Sequence, residues 1–160
     1  MIADPRDTVT AVQITRREII IGSADGFVYR YDVVAGKVRR DFVASPVCSL
    51  WMGDGCILIQ SQDGALRLLD TDNGGLLGTF EGHKVTHYRA ECQMTAKNVL
   101  ATSEDGHLMV WNLLTQQLKS KIEVKSSQSS RVLPITSFDR YDDGIVAAAG
   151  SRVFLRSANV

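Results

Sequence analysis

Ser103, Asp105 and His83 are the residue types of a hydrolytic triad, in which a carboxylate orients an imidazole and the imidazole takes the proton of an attacking hydroxyl. Their setting argues against that chemistry. No G-x-S-x-G turn surrounds any serine. The tetrapeptide Ser-x-Asp-Gly also occurs three times, beginning at Ser23, Ser61 and Ser103. An active site is needed once, whereas a structural device recurs. His83 and His87 have the i,i+4 spacing of a zinc peptidase, but Lys84 stands where its glutamate would be and the stretch has no helical period. Asp70-Thr71-Asp72-Asn73-Gly74 lacks the ligand spacing and closing glutamate of a calcium loop. No G-x-x-x-x-G-K-[ST] phosphate loop is present, and Gly53-Asp54-Gly55 reads as a turn. The three cysteines, Cys48, Cys56 and Cys92, are an odd number without C-x-x-C spacing, which fits buried reduced thiols. The expectation is therefore no catalytic residue, no cofactor and no metal.

The elements that carry these residues repeat. Each Ser-x-Asp-Gly is followed by five residues of strand character and then Asp or Asn: Phe27-Val28-Tyr29-Arg30-Tyr31-Asp32, Ala65-Leu66-Arg67-Leu68-Leu69-Asp70 and His107-Leu108-Met109-Val110-Trp111-Asn112. Asp25, Asp63 and Asp105 are 38 and 42 residues apart. A fourth unit keeps the apolar run and the second strand (145–156) but has lost the aspartate and the terminal aromatic. The units are placed at 8–43, 44–80, 81–124 and 131–160. Within each, an apolar stretch, a turn and a nearly all-apolar run precede the Asp-Gly turn, a strong hairpin signal. A further turn falls four residues past the Asp or Asn, at Gly36, Gly74 and Gln116, and a more polar strand closes the unit. The pattern predicts an all-β chain of antiparallel four-stranded units, the last one incomplete.

The chain has 160 residues, 18 Lys plus Arg and 18 Asp plus Glu, a net charge of zero. With 44% hydrophobic and 22% charged residues it has the composition of a globular domain rather than a disordered segment. Zero net charge disfavours holding nucleic acid by bulk electrostatics, although Lys84, Arg89, Lys119, Lys121, Lys125 and Arg131 leave a basic side as an alternative. No apolar run reaches the roughly 18 residues of a membrane span, and residues 1–7 do not have the pattern of a secretory leader. A cytoplasmic or nuclear location without membrane contact is expected. The basic, serine-rich stretch 119–131 is expected as an exposed strand and connector.

A unit of about 40 residues with four strands, Asp in the second turn and an aromatic-Asp ending the third strand resembles the WD-repeat β-propeller family. In that family His, Ser, Asp and Trp form a hydrogen-bonded chain within a blade. The resemblance implies such a chain through His83, Ser103, Asp105 and Trp111, with shorter ones through Ser23, Asp25 and Tyr31 and through Ser61 and Asp63, where Ser45 stands in the histidine's place. More narrowly, Arg30-Tyr31-Asp32, Leu66-Arg67-Leu68-Leu69-Asp70, Gly75-Leu76-Leu77-Gly78 and Glu81-Gly82-His83-Lys84 are similar to the mitogen-activated protein kinase organizer 1 group of WD-repeat scaffolds. That likeness implies a non-enzymatic scaffold for protein–protein assembly, in a MAP-kinase cascade, in pre-mRNA splicing, or in both. Its alternatives are an RNA-contacting component of a ribonucleoprotein and a truncated, non-functional half-propeller.

Members of that group have about twice this length, so the chain reads as a half-ring of four blades. Two apolar end faces and a missing outer strand would then need cover. The expected solution is a homodimer closing an eight-bladed ring, with residues 1–3 of one copy beside residues 152–156 of the other, or else a missing half supplied by another chain.

Overall fold

The structure, a computed structural model, describes residues 5–86, 90–123, 133–141 and 144–157. All regular elements among them are strands, and no helix is long and apolar enough to cross a membrane. Four antiparallel sheets form from consecutive strands. Sheet 1 is β1 (Val9–Ile14), β2 (Glu18–Ser23), β3 (Phe27–Asp32) and β4 (Lys37–Phe42). Sheet 2 is β5 (Val47–Gly53), β6 (Cys56–Ser61), β7 (Leu66–Asp70) and β8 (Leu76–Phe80). Sheet 3 is β9 (Cys92–Met94), β10 (Asn98–Thr102), β11 (His107–Asn112) and β12 (Leu118–Glu123). Sheet 4 has three strands among the described residues, β13 (Ile135–Tyr141), β14 (Gly144–Ala149) and β15 (Arg152–Ser157). The all-β fold and the incomplete last sheet are as the sequence implies.

The chain divides into two compact units, Met1–Glu81 with sheets 1 and 2 and Gly82–Val160 with sheets 3 and 4. In the first unit Ile20 and Val28 of sheet 1 pack on Val47, Leu50, Ile57 and Ile59 of sheet 2. Gly22 belongs to this contact: a Cβ there would stand 2.6 Å from Val47 Cγ1, so a side chain would push the sheets apart. In the second unit Leu100, Leu108 and Val110 of sheet 3 pack on Ile135, Phe138, Ile145 and Ala147 of sheet 4. Second strands are apolar on both sides, and all five residues of β10 are buried.

Turn chemistry sets the register. Gly26, Gly64 and Gly106 have φ of +82°, +77° and +76°, and each donates its N–H to the carbonyl of the serine three residues earlier. Only glycine takes up that conformation without strain. The next turn is capped by the residue that ends the third strand. Asp32 Oδ1 accepts from the N–H of Val34 and Ala35, both at 2.8 Å. Asp70 does the same for the N–H groups of Asp72 and Asn73, and Asn112 for those of Leu114 and Thr115. The left-handed residue of this turn is Gly36 or Gly74 in the first two sheets and Gln116, φ +59°, in the third. Gln116→Gly is therefore expected to stabilise the second unit by about 0.5–1 kcal/mol. A urea titration should show the midpoint rise, and a fall would contradict this reading of the turn.

Candidate functional site

Each Asp-Gly turn gathers polar side chains at one end of its sheet. In sheet 1 the Asp25 carboxylate accepts from the Tyr29 hydroxyl (2.7 Å) and from the N–H of Arg6 (2.9 Å) and Phe27 (3.1 Å). Buried Ser23 accepts from the N–H of Asp25 at 3.3 Å. The phenol on Asp25 is thus that of Tyr29. Tyr31, which the resemblance implies for this row, lies two residues further from the turn and is half-buried. Residues four apart on an extended strand that leaves a tight turn can reach back to it; at six the separation is too long.

In sheet 2 the same offset of four places Arg67 on Asp63. Arg67 Nη2 is 2.7 Å from Asp63 Oδ2, and Nη1 donates to Ser61 Oγ at 2.6 Å. The Ser61 hydroxyl donates to Asp63 Oδ1 at 2.8 Å. Ser45 Oγ accepts the N–H of Asp63 at 3.0 Å, so the residue in the histidine's place contacts this row.

In sheet 3 the imidazole beside Asp105 is that of His107, with Nδ1 3.1 Å from Oδ1 but out of hydrogen-bond alignment. Ser103, buried, accepts the N–H of Lys84 at 2.9 Å. His83 is buried with its ring edge-on to Trp111, centroids 5.5 Å apart at 80°. Sheet 3 therefore brings Ser103 and Asp105 to one turn and sets His83 against Trp111. His107 was available to sequence reasoning, since it directly follows Asp-Gly.

These carboxylates sit lower than ordinary aspartates. Burial opposes ionisation of Asp25, Asp63 and Asp105, and neighbouring groups outweigh it: donation by Tyr29 and backbone N–H groups for Asp25, donation by Arg67 for Asp63, and for Asp105 the Ser103 hydroxyl together with the nearby His107 imidazole and Lys121 charge. Asp32 is lowered by the N–H groups of Ala35 and Val34. Because the folded values lie below the unfolded ones, their contribution to stability is complete above the unfolded value of about 3.9 and is lost as pH falls through the folded values. Urea midpoints should be level from pH 7 to about 5 and drop steeply below about 4, and Asp63→Asn should flatten the drop. A midpoint that rises on acidification would contradict these networks.

Chemically, the first two rows are hydrogen-bond networks that anchor their own turns. Ser61 lies between a carboxylate of lowered basicity and a guanidinium, so nothing there activates its hydroxyl. Among the described residues no group of three or more His, Cys, Asp or Glu is placed to hold a metal ion. His87, Arg89, Lys125 and Arg131 lie outside the described residues, as do residues 1–3. None of Cys48, Cys56 and Cys92 is in a disulfide, and Cys92 is buried.

A second polar cluster, in the first unit, is one that sequence reasoning missed. Arg30 is 6% exposed. Its Nη2 donates to both oxygens of Glu18, at 3.0 and 2.9 Å, and its Nη1 donates to the carbonyl of Thr71. Arg39 reaches the carbonyls of Asp72 (3.3 Å) and Thr71 (3.5 Å). Two arginines of sheet 1 thus hold the turn between β7 and β8, beside a cleft of about 490 Å³ lined by Arg17, Glu18, Arg30, Asp32 and Asp72 among others. The available signal was a charge in an apolar column: Leu68 and Val110 are buried at the matching positions of sheets 2 and 3.

The repeated four-stranded sheet with an aspartate-anchored second turn is the blade of a WD-repeat β-propeller, and comparison with known proteins gives the same class. No protein-family model matches the chain. A rat protein, WD repeat domain-containing protein 83, is 36% identical over 154 residues, covering 94% of this chain and 48% of the relative. Among solved structures, the computationally designed Ika4 protein matches with TM-score 0.81 at 23% identity, covering 98% of this chain and 95% of that one. The WD40 β-propeller domain of Doa1 matches with TM-score 0.78 at 18% identity, covering 96% of this chain and 52% of that one. The chain is a WD-repeat protein. It spans about half the length of the curated relatives it matches.

Proposed function

We propose that the protein is a non-enzymatic scaffold that docks other proteins, in MAP-kinase signalling, in pre-mRNA splicing, or in both, and that it works in the cytoplasm, the nucleus or both. WD-repeat propellers are typically protein-interaction modules. The observation that carries the reading is the use made of the reactive side chains. Asp25 and Asp63 and their serines are engaged in holding their own turns, and Ser103 is engaged by the N–H of Lys84 in the third row, which leaves rims and outer strands for contact. The sequence phrases similar to the organizer 1 scaffolds support the choice of pathways. The partners are kinase-cascade or spliceosomal proteins, together with a second copy of the chain that would close an eight-bladed ring.

The test is pull-down by the purified full chain of purified MAP-kinase cascade kinases and, separately, of isolated spliceosomal particles treated with nuclease. Saturable retention of either at micromolar concentration is the expected result. No retention of both, with the chain shown to be folded, would end this reading. Retention of particles only without nuclease treatment, lost steeply with salt, would replace it with RNA contact.

A further inference from the structure

The same interface between sheets is built twice within the chain, and each half of it is present once more on a face left exposed among the described residues. In both units the second and third strands of one sheet meet the first and second strands of the next. The first strands β1, β5 and β13 have the same bulge, between Val9 and Ala11, Val47 and Ser49, and Ile135 and Ser137. That bulge aligns the receiving faces residue by residue: Val9 with Val47 and Ile135, and Val12 with Leu50 and Phe138. Leu50 and Phe138 are 3% and 4% exposed, but Val12 is 49% exposed and its neighbour on the same face, Ile14, 72%. Sheet 1 thus has a receiving face of the kind that is covered in sheets 2 and 4.

The complementary face is open on sheet 4. Pairing across the strands aligns Val153 with Leu108 and Leu155 with Val110. Leu108 and Val110 are buried in the stack, whereas Val153 is 69% and Leu155 72% exposed. Both open faces are apolar and match two halves of one interface that this sequence already makes twice.

We propose that a second copy of the chain covers these faces, the β14–β15 face of one copy docking on the β1–β2 face of the other, and the reverse, so that two identical heterologous contacts close the pair. This deepens the scaffold reading by naming the surfaces of self-association, and it rests on that reading only for the repeated-sheet plan. Docking of other proteins would survive its failure, because the pull-down does not depend on mass.

Light scattering on the eluted full chain should give twice 17.6 kDa. Val12→Glu and, separately, Leu155→Glu put a charge on each open face at exposed positions that the fold tolerates, so circular dichroism should be unchanged. Each variant alone should weaken association at least tenfold. Mixing the two should restore part of it, because one contact in the mixed pair is intact. A wild-type mass of 17.6 kDa at 100 μM would overturn the proposal. So would a pair that survives both variants, or one broken by Val12→Glu and not by Leu155→Glu, which would mean like faces pairing.

Discussion

Glu18→Ala is expected to destabilise the first unit by about 3 kcal/mol, because it leaves the Arg30 guanidinium buried without its carboxylate. In water an ion pair of this kind contributes little, since each partner is well solvated alone. Here the arginine side chain is 7% exposed and the glutamate 25%, so the arginine cannot recover its hydration when the carboxylate is removed. The Thr71 carbonyl remains as a partner, and Arg30 Nε has none. Arg30→Leu should behave differently. It places at this position the residue type that sheet 2 has as Leu68, and it frees Glu18 to turn toward solvent. Its effect should be under about 1 kcal/mol, and the double variant should be closer to wild type than Glu18→Ala alone. Urea unfolding followed by Trp51, which lies in β5 of the first unit, measures all three. Equal losses for Glu18→Ala and Arg30→Leu would show that the pair stabilises by mutual attraction, contrary to this account.

Trp111→Ala should have an effect of similar size in the other unit. Trp111 is 1% exposed in β11, and its ring meets the edge of His83. Removing a buried indole deletes the transfer free energy of the largest side chain and leaves a cavity, which together cost about 3–5 kcal/mol. Tyr31 and Leu69 occupy the matching positions in sheets 1 and 2 and are only half-buried, so Tyr31→Ala should cost visibly less. The change should fall on the second unit. Amide exchange in β10 and β11 should accelerate by two orders of magnitude or more while β2 and β6 hold theirs, since each unit has its own core. Uniform acceleration throughout the chain would mean that the units unfold as one.

The turn chemistry was legible in the sequence because it is local. Asp-Gly at three places fixed the hairpins, and Asp32, Asp70 and Asn112 marked the caps of the following turns. The apolar second strands were legible for a related reason, since burial on both sides leaves no alternation to misread. The partners of the polar rows were harder. Which aromatic reaches Asp25 depends on how far a strand carries its side chains from the turn, and that distance favours Tyr29 over Tyr31. Arg67 reads as a surface charge until Asp63 and Ser61 are seen to lie within its reach. The Arg30–Glu18 pair was hidden because its members lie on different strands, and the Thr71 carbonyl belongs to another sheet. Only the break in an apolar column pointed to it.

The protein is built of repeated sheet modules, each stabilised by stacking one face on a neighbour. Amide hydrogen exchange along the full chain tests this most directly. Four slow stretches are expected, one in the second strand of each sheet (β2, β6, β10 and β14), separated by fast-exchanging turns at Asp25, Asp63 and Asp105 and at Gly150. Protection without that recurrence, or second strands no slower than the outer strands β4, β8 and β12, would contradict it.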